Sequence, residues 1–242
     1  MQKFLARTGI ASRRRGEELI RQGRVRVDGE VVTTLGTCID PAAAQVTVDG
    51  RLVHAPARRR TVLLHKPVGY VTTMADPQGR RQVADLLATE PERLFPIGRL
   101  DYDASGLLLL TNDGELAHRL MHPRYKVPKT YRVTVAGVFT AAAQQRLLEG
   151  VKLAGRTAAA HAMRRLKTEA GHSVLELTIG EGRYHQVKRM LAQVGYRVLK
   201  LKRIAYGPLR LGRLAPGAWR DLTPAELAAL YRAAGLEQSA GD

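Results

Sequence analysis

Residues 98–114 read GRLDYDASGLLLLTNDG. Leu107, Leu108, Leu109 and Leu110 make a short apolar run closed by an Asn112-Asp113-Gly114 turn, the mark of a buried strand. Just ahead of it, a Gly-Arg-Leu-Asp turn carries Asp101 and, two residues on, Asp103. A loop leading straight into a buried strand is held rigidly at one end and open at the other, which suits functional side chains. Two readings of the aspartates stand side by side. Their side chains can cap turns, or they can take part in proton-transfer chemistry. Residues i and i+2 of an extended segment share a face, but no third catalytic group lies nearby. This spacing speaks against an acid/base pair.

Outward from this strand, structure alternates irregularly. The NDGELAHRLM stretch turns and enters a short helix. KTYRVTVAG puts Tyr131, Val133 and Val135 on one face of a strand, and SVLELTIGEG does the same with Leu175, Leu177 and Ile179. YHQVKRMLAQVG spaces Val187, Met190, Leu191 and Val194 as a helix that closes at Gly195. VLKLKRI is another strand. Thr223-Pro224-Ala225-Glu226 is a capping box with proline at the first helical position, so it opens a last helix. Hairpin-like turns in this order predict an α+β fold with a mixed, mainly antiparallel sheet.

The first 55 residues read as a separate small unit. QKFLART forms a helix stopped by Gly9, and Ser12 caps a second helix, SRRRGEELIRQ, that ends at Gly23. RVRVDGEVV and QVTVDGRLV share the pattern V-x-V-D-G-x-x-V, which predicts two similar strand-turn pieces of one sheet. Residues 56–60, within the polar stretch HAPARRR, are the expected linker. A larger unit then spans 61–235, and 236–242 form a tail.

The chain has 242 residues, 45% of them hydrophobic, enough for a real core; its 39 basic and 22 acidic residues leave +17. Such a balance points to a polyanion, nucleic acid first. Residues 1–60 hold 12 basic and 6 acidic residues, so the excess is spread over both units. The single cysteine, Cys38, excludes a disulfide framework and a cysteine-type zinc site. No apolar run is long enough to span a membrane. The amphipathic N-terminus lacks an apolar signal core, so a cytoplasmic location is expected; the chain is also expected to be a monomer. His118 and His122 have metal-ligand spacing without a third ligand. GEGR at 180–183 is neither a dinucleotide fingerprint nor a P-loop. No metal or cofactor is expected.

Arg13, Arg14 and Arg15 stand in the first turn of a helix, where the dipole is positive and each arginine costs roughly 0.3–1 kcal/mol. Approaching phosphates make sense of this placement, because free backbone N–H groups and arginines then act together. Arg24 and Arg26, projecting opposite Val25 and Val27, can extend the same patch. The helix, the basic helix and the G-R-V-x-V-D-G stretch together resemble the S-four RNA-binding domain over about residues 2–50.

GRLDYDASGLLLLTNDG is in turn similar to the signature of ribosomal-RNA pseudouridine synthases of the RsuA/RluB type. KPVGYVTT (66–73) ahead of it, and KTYRV (129–133), EGRYHQVKRML (181–191) and LAPGAWRDLTPAEL after it, match in the same order. One departure is Ala104, where a threonine is more usual; Ser105 keeps a hydroxyl nearby. The resemblance implies Asp101 as nucleophile or base, Tyr131 against the target base, and Arg183 paired with Asp101. It further implies Arg99 beside the space left by an extruded nucleotide, with Lys129, His185 and Lys188 contacting RNA. The implied reaction breaks the bond between uracil nitrogen and ribose, turns the base and rejoins it through carbon. It conserves atoms and needs no redox partner. The implied partner is ribosomal RNA, the large subunit slightly favoured, or a pre-ribosomal particle. A non-catalytic assembly factor on the same fold is the alternative; a DNA-binding architectural protein fits less well, since no groove-reading helix is evident.

Overall fold

A computed structural model describes residues 1–41, 43–54, 58–88, 90, 92–169 and 171–236. Helices α1 (Gln2–Arg7) and α2 (Arg13–Arg21) precede strands β1 (Val25–Val27), β2 (Glu30–Val31), β3 (Val46–Val48) and β4 (Arg51–Leu52). The hydroxyl of Ser12 caps α2 by accepting from the Arg15 N–H. The strands form one antiparallel sheet in the order β2-β1-β3-β4. Both its Asp-Gly turns hold two consecutive positive φ angles, Asp28 at 50° and Gly29 at 87°, Asp49 at 51° and Gly50 at 76°. That is the twist a two-residue hairpin needs, and it explains why the Asp-Gly pair recurs. Phe4, Leu5, Leu19, Ile20, Val25, Val46 and Val48 close a small core of their own.

The larger unit contains β5 (Thr61–Lys66), β6 (Phe95–Ile97), β7 (Ala104–Thr111), α3 (Gly114–Met121), β8 (Lys129–Ala136) and α4 (Ala141–Glu149). It continues through β9 (Val151–Leu153), β10 (Arg156–Ala158), β11 (Ala162–Glu169), β12 (His172–Ile179), α5 (Gln186–Gln193), β13 (Val198–Tyr206), β14 (Leu209–Arg210), β15 (Trp219–Asp221) and α6 (Pro224–Ala233). The main sheet runs β11-β12-β8-β13-β7-β5-β15, with β14 on β13 and β6 on β7; β9 and β10 pair apart. Its pairs are antiparallel except β13 with β7, which run parallel. The α+β class and the mainly antiparallel sheet are as expected from the sequence.

The four leucines explain the layers. Side chains of a strand alternate between faces, so Leu108 and Leu110 join a core with Tyr131, Val133, Val135, Leu175 and Leu177. Leu107 and Leu109 point the other way, to Leu116, Leu120, Tyr206 and Leu230 beneath α3 and α6. All four are fully buried, each contributing roughly 1.5–3 kcal/mol of apolar burial. One side of β7 is shared: β13 pairs with residues 104–106 and β6 with residues 109–111. The loop 98–103 therefore emerges where β6 gives way to β13. This split positions the site.

Part of the expected linker is not free. Arg60 holds Asp221 through Nε at 2.6 Å and Nη2 at 3.0 Å, and also binds Glu90. It clamps the start of β5 to β15. Residues 55–57 and the tail from 237 onward lie outside the described residues.

Candidate active site

Loop 98–103 is fixed from below by a buried lysine. Lys66 ends β5 fully buried, and its ammonium donates to the carbonyls of Pro67 (3.0 Å), Asp101 (3.0 Å) and Ala104 (2.8 Å). All three protons are used. Burial pulls this lysine down to about 8, while Asp101 and Asp103 act in the opposite direction. The Thr72 hydroxyl donates to the Leu100 carbonyl at 2.7 Å, and the Ala104 N–H closes a turn on the Asp101 carbonyl at 3.1 Å. The backbone of Asp101 is thus held on two sides. Its carboxylate stays at the surface, about one quarter exposed.

That carboxylate lies on the rim of a cleft of about 680 Å³. Lys188 Nζ stands 3.2 Å from Asp101 Oδ2 and 2.5 Å from Asp103 Oδ1, and His185 Nε2 stands 3.3 Å from Asp101 Oδ1. Burial pulls Lys188 down, but the hydrogen bonds to Asp103 and Asp101 outweigh it and the net shift is upward. Asp103 moves the other way, lowered chiefly by its bond to Lys188. The two aspartates therefore share one ammonium, and Asp103 anchors the cation that faces Asp101. His185 adopts a left-handed backbone (φ 49°) as the N-cap of α5. Such a conformation costs a non-glycine residue on the order of 1 kcal/mol and recurs at functional positions. Its ring stacks on Tyr184 at 3.8 Å, with Tyr184 largely exposed.

The expected Arg183–Asp101 pair is not what the structure holds. Arg183 Nη2 and Nε bind Glu181 Oε2 at 3.0 and 3.1 Å, and its backbone N–H donates to Gln186 Oε1 at 2.9 Å. The reason is local: the strand-to-helix elbow turns Arg183 back on its own neighbours, whereas His185 and Lys188 face Asp101 from the start of α5. Their i, i+3 spacing was the available signal, since such residues share a helix face. Arg183 still lines the cleft, with Nη1 buried and without a partner among the described residues.

The cleft gathers most other expected residues. Tyr131, 7% exposed, lines it beside Lys129, and Arg99 is exposed at its edge. Two buried residues that sequence reasoning passed over, Arg203 and Tyr206, complete the lining. Arg203 stands opposite Tyr131 in the β13–β8 register.

The basic patch of the small unit is mixed. Arg13 and Arg14 are exposed. Arg15 pairs with Glu18 at 2.6 Å, Arg24 grips both Asp49 oxygens at 2.7 and 2.6 Å, and Arg26 donates to the Gly29 carbonyl at 2.9 Å. These last three brace their own elements.

At the mouth of the cleft, then, the Asp101 carboxylate is faced by one ammonium and one imidazole. Residues 60–193 match the family model described as RNA pseudouridylate synthase, and residues 2–41 match the S4 domain. The chain belongs to the RNA pseudouridine synthases. An uncharacterized RNA pseudouridine synthase of Aquifex aeolicus is 48% identical, over 97% of this chain and 94% of its own length. The ribosomal large subunit pseudouridine synthase B of Bacillus subtilis is 46% identical, over 94% and 93%. A solved pseudouridylate synthase superposes with a TM-score of 0.66 at 31% identity, covering 95% of this chain and 98% of that one. The synthase fold here thus carries an S4 domain at its N-terminus. No described helix is long and apolar enough to cross a membrane.

Proposed function

We propose that this synthase isomerises uridine in large-subunit ribosomal RNA, with Asp101 as the reacting carboxylate. The observation that carries the reading is Asp101 at the rim of the cleft, held through its carbonyl by Lys66 and faced by Lys188 and His185. A carboxylate so placed reaches the ribose or the ring of an extruded uridine, as nucleophile or as base. Tyr131 supplies a flat wall for the flipped base, and Arg99 at the rim takes up the space the nucleotide leaves. Extrusion costs a few kcal/mol, which contacts elsewhere on the RNA must supply. Arg13 and Arg14 serve that purpose on the S4 domain. Arg183 acts on the cleft wall through Glu181 instead of on Asp101.

The domains divide as residues 1–55 for grip and 61–235 for chemistry, in a monomer working in the cytoplasm. The identity shared with the Bacillus subtilis large-subunit enzyme supports the choice of substrate. Mapping pseudouridines in ribosomal RNA from cells with and without the protein tests it. One large-subunit uridine should lose its modification in the deleted strain; an unchanged large-subunit map would overturn the assignment.

A further inference from the structure

The lining of the cleft includes two buried cations beside one aromatic ring. Lys129 and Arg203 are 6% and 3% exposed, and they flank one ring: Lys129 Nζ lies 4.9 Å and the Arg203 guanidinium carbon 5.2 Å from the centre of Tyr206. Among the described residues Lys129 donates only a long bond, 3.4 Å, to the Leu120 carbonyl, which the Tyr206 hydroxyl already occupies at 2.8 Å. Arg203 spends Nε on the Leu107 carbonyl at 2.6 Å, while its Nη2 is buried with no partner among the described residues. Burial and the like charge of Arg203 bring Lys129 down to about 8. Two adjacent buried cations, neither ion-paired to a carboxylate among the described residues, are costly. A water molecule would satisfy a donor, but it would not balance the charge.

We propose that Arg203 and Lys129 form an anion subsite at the cleft floor that receives the carbonyl oxygens of the target uracil and stabilises the uracil anion. The inference rests on the reading that an extruded uridine enters this cleft. When the bond between ribose C1′ and uracil N1 breaks heterolytically, the electron pair stays on the ring and spreads to N1, O2 and O4. The ring then turns, C5 bonds to C1′, the C5 proton leaves to a base, and N1 takes up a proton. Throughout the turn the detached base is anionic. Fixed cationic donors in a dry pocket stabilise such developing charge more than they would in water. Depth selects the base over a phosphate: phosphodiesters stay with the chain at the mouth, and the uracil is the part that reaches furthest in. Arg203 lies opposite Tyr131 in the strand register, and both line the cleft.

The test uses the full-length protein and a ribosomal RNA fragment tritiated at uridine C5. Lys129→Met should fold, bind RNA within about threefold of wild type, and release tritium in single turnover roughly 100-fold more slowly. Arg203→Lys, which retains charge but loses the second donor, should show a loss of the same kind with fold intact. A second RNA carries one neutral methylphosphonate linkage beside the target. If the subsite takes the base, the loss from that linkage multiplies with the loss from Lys129→Met. If it takes a phosphate, the neutral linkage mimics the variant's loss, the two do not compound, and the proposal fails. Unchanged rates in both variants, with wild type active, overturn the subsite alone. A wild type that releases no tritium overturns the entry of uridine as well.

Discussion

Lys66 and Lys129 are both buried ammonium groups brought down to about 8 by burial, yet they should respond oppositely to removal. Lys66 donates to three carbonyls, so Lys66→Met takes a donor from each, and only that of Asp101 is known to keep another, the Ala104 N–H. That substitution should cost roughly 2 kcal/mol and slow turnover by loosening Asp101; urea unfolding and tritium release measure the two effects. Lys129 has one weak bond, so Lys129→Met should raise the melting temperature at pH 7. The sign follows from linkage: the unfolded lysine ionises near its ordinary 10.5 and the folded one near 8. The penalty, on the order of 3 kcal/mol, is complete below pH 8 and fades as pH rises towards 10.5. The gain in melting temperature should therefore shrink between pH 8 and pH 10. A gain that stays constant would show that Lys129 titrates alike in the folded and unfolded chain, so that burial does not oppose its charge. Asp103→Asn frees Lys188 without touching Asp101 and should be far milder than any change at Asp101. At this scale the sequence revealed the carboxylate and the basic helix start, but it did not reveal which cation faces Asp101. Arg183 and Lys188 both lie in one motif, and only the turn at His185 decides between them.

The strand β7 shows how much an element's pattern can tell. Four leucines bounded by a turn were legible as a buried strand, because apolar runs of that length need a partner on each side. The parallel pairing with β13 was not legible, since it depends on residues almost 100 positions apart. It is nonetheless written into Gly106: a Cβ there would lie 2.2 Å from the Arg203 carbonyl oxygen and 2.6 Å from its nitrogen, at φ 115°. Gly106→Ala should destabilise by more than about 3 kcal/mol or abolish folding, as chemical denaturation would read. Strand β11 is not legible in the sequence either. Most of its residues are exposed, so no alternation of apolar and polar side chains marks it. The capping box at Thr223, by contrast, is present on both arms, because a cap is settled within four residues.

For the whole molecule, charge predicts partnership better than position. The net +17 is spread over the chain, but much of it is engaged: Arg15, Arg24 and Arg60 pair with acids. The exposed Arg13 and Arg14 are where RNA should read the S4 domain. Changing both to alanine should weaken RNA binding and reduce the slope of log affinity against log salt by roughly one to two. A filter-binding series over salt concentration would detect this; an unchanged slope would make the patch mere solvated surface. Arg93 of the larger unit donates to the Gly9 carbonyl at 3.1 Å, so the two parts of the chain meet at the turn that precedes this basic helix.

The most direct measurement is single-turnover tritium release from C5-labelled large-subunit ribosomal RNA by wild type and Asp101→Asn, with RNA affinity measured alongside. The carboxylate account predicts that the variant binds as tightly as wild type and releases tritium about 10³-fold more slowly or not at all. Turnover at the wild-type rate by Asp101→Asn would contradict it.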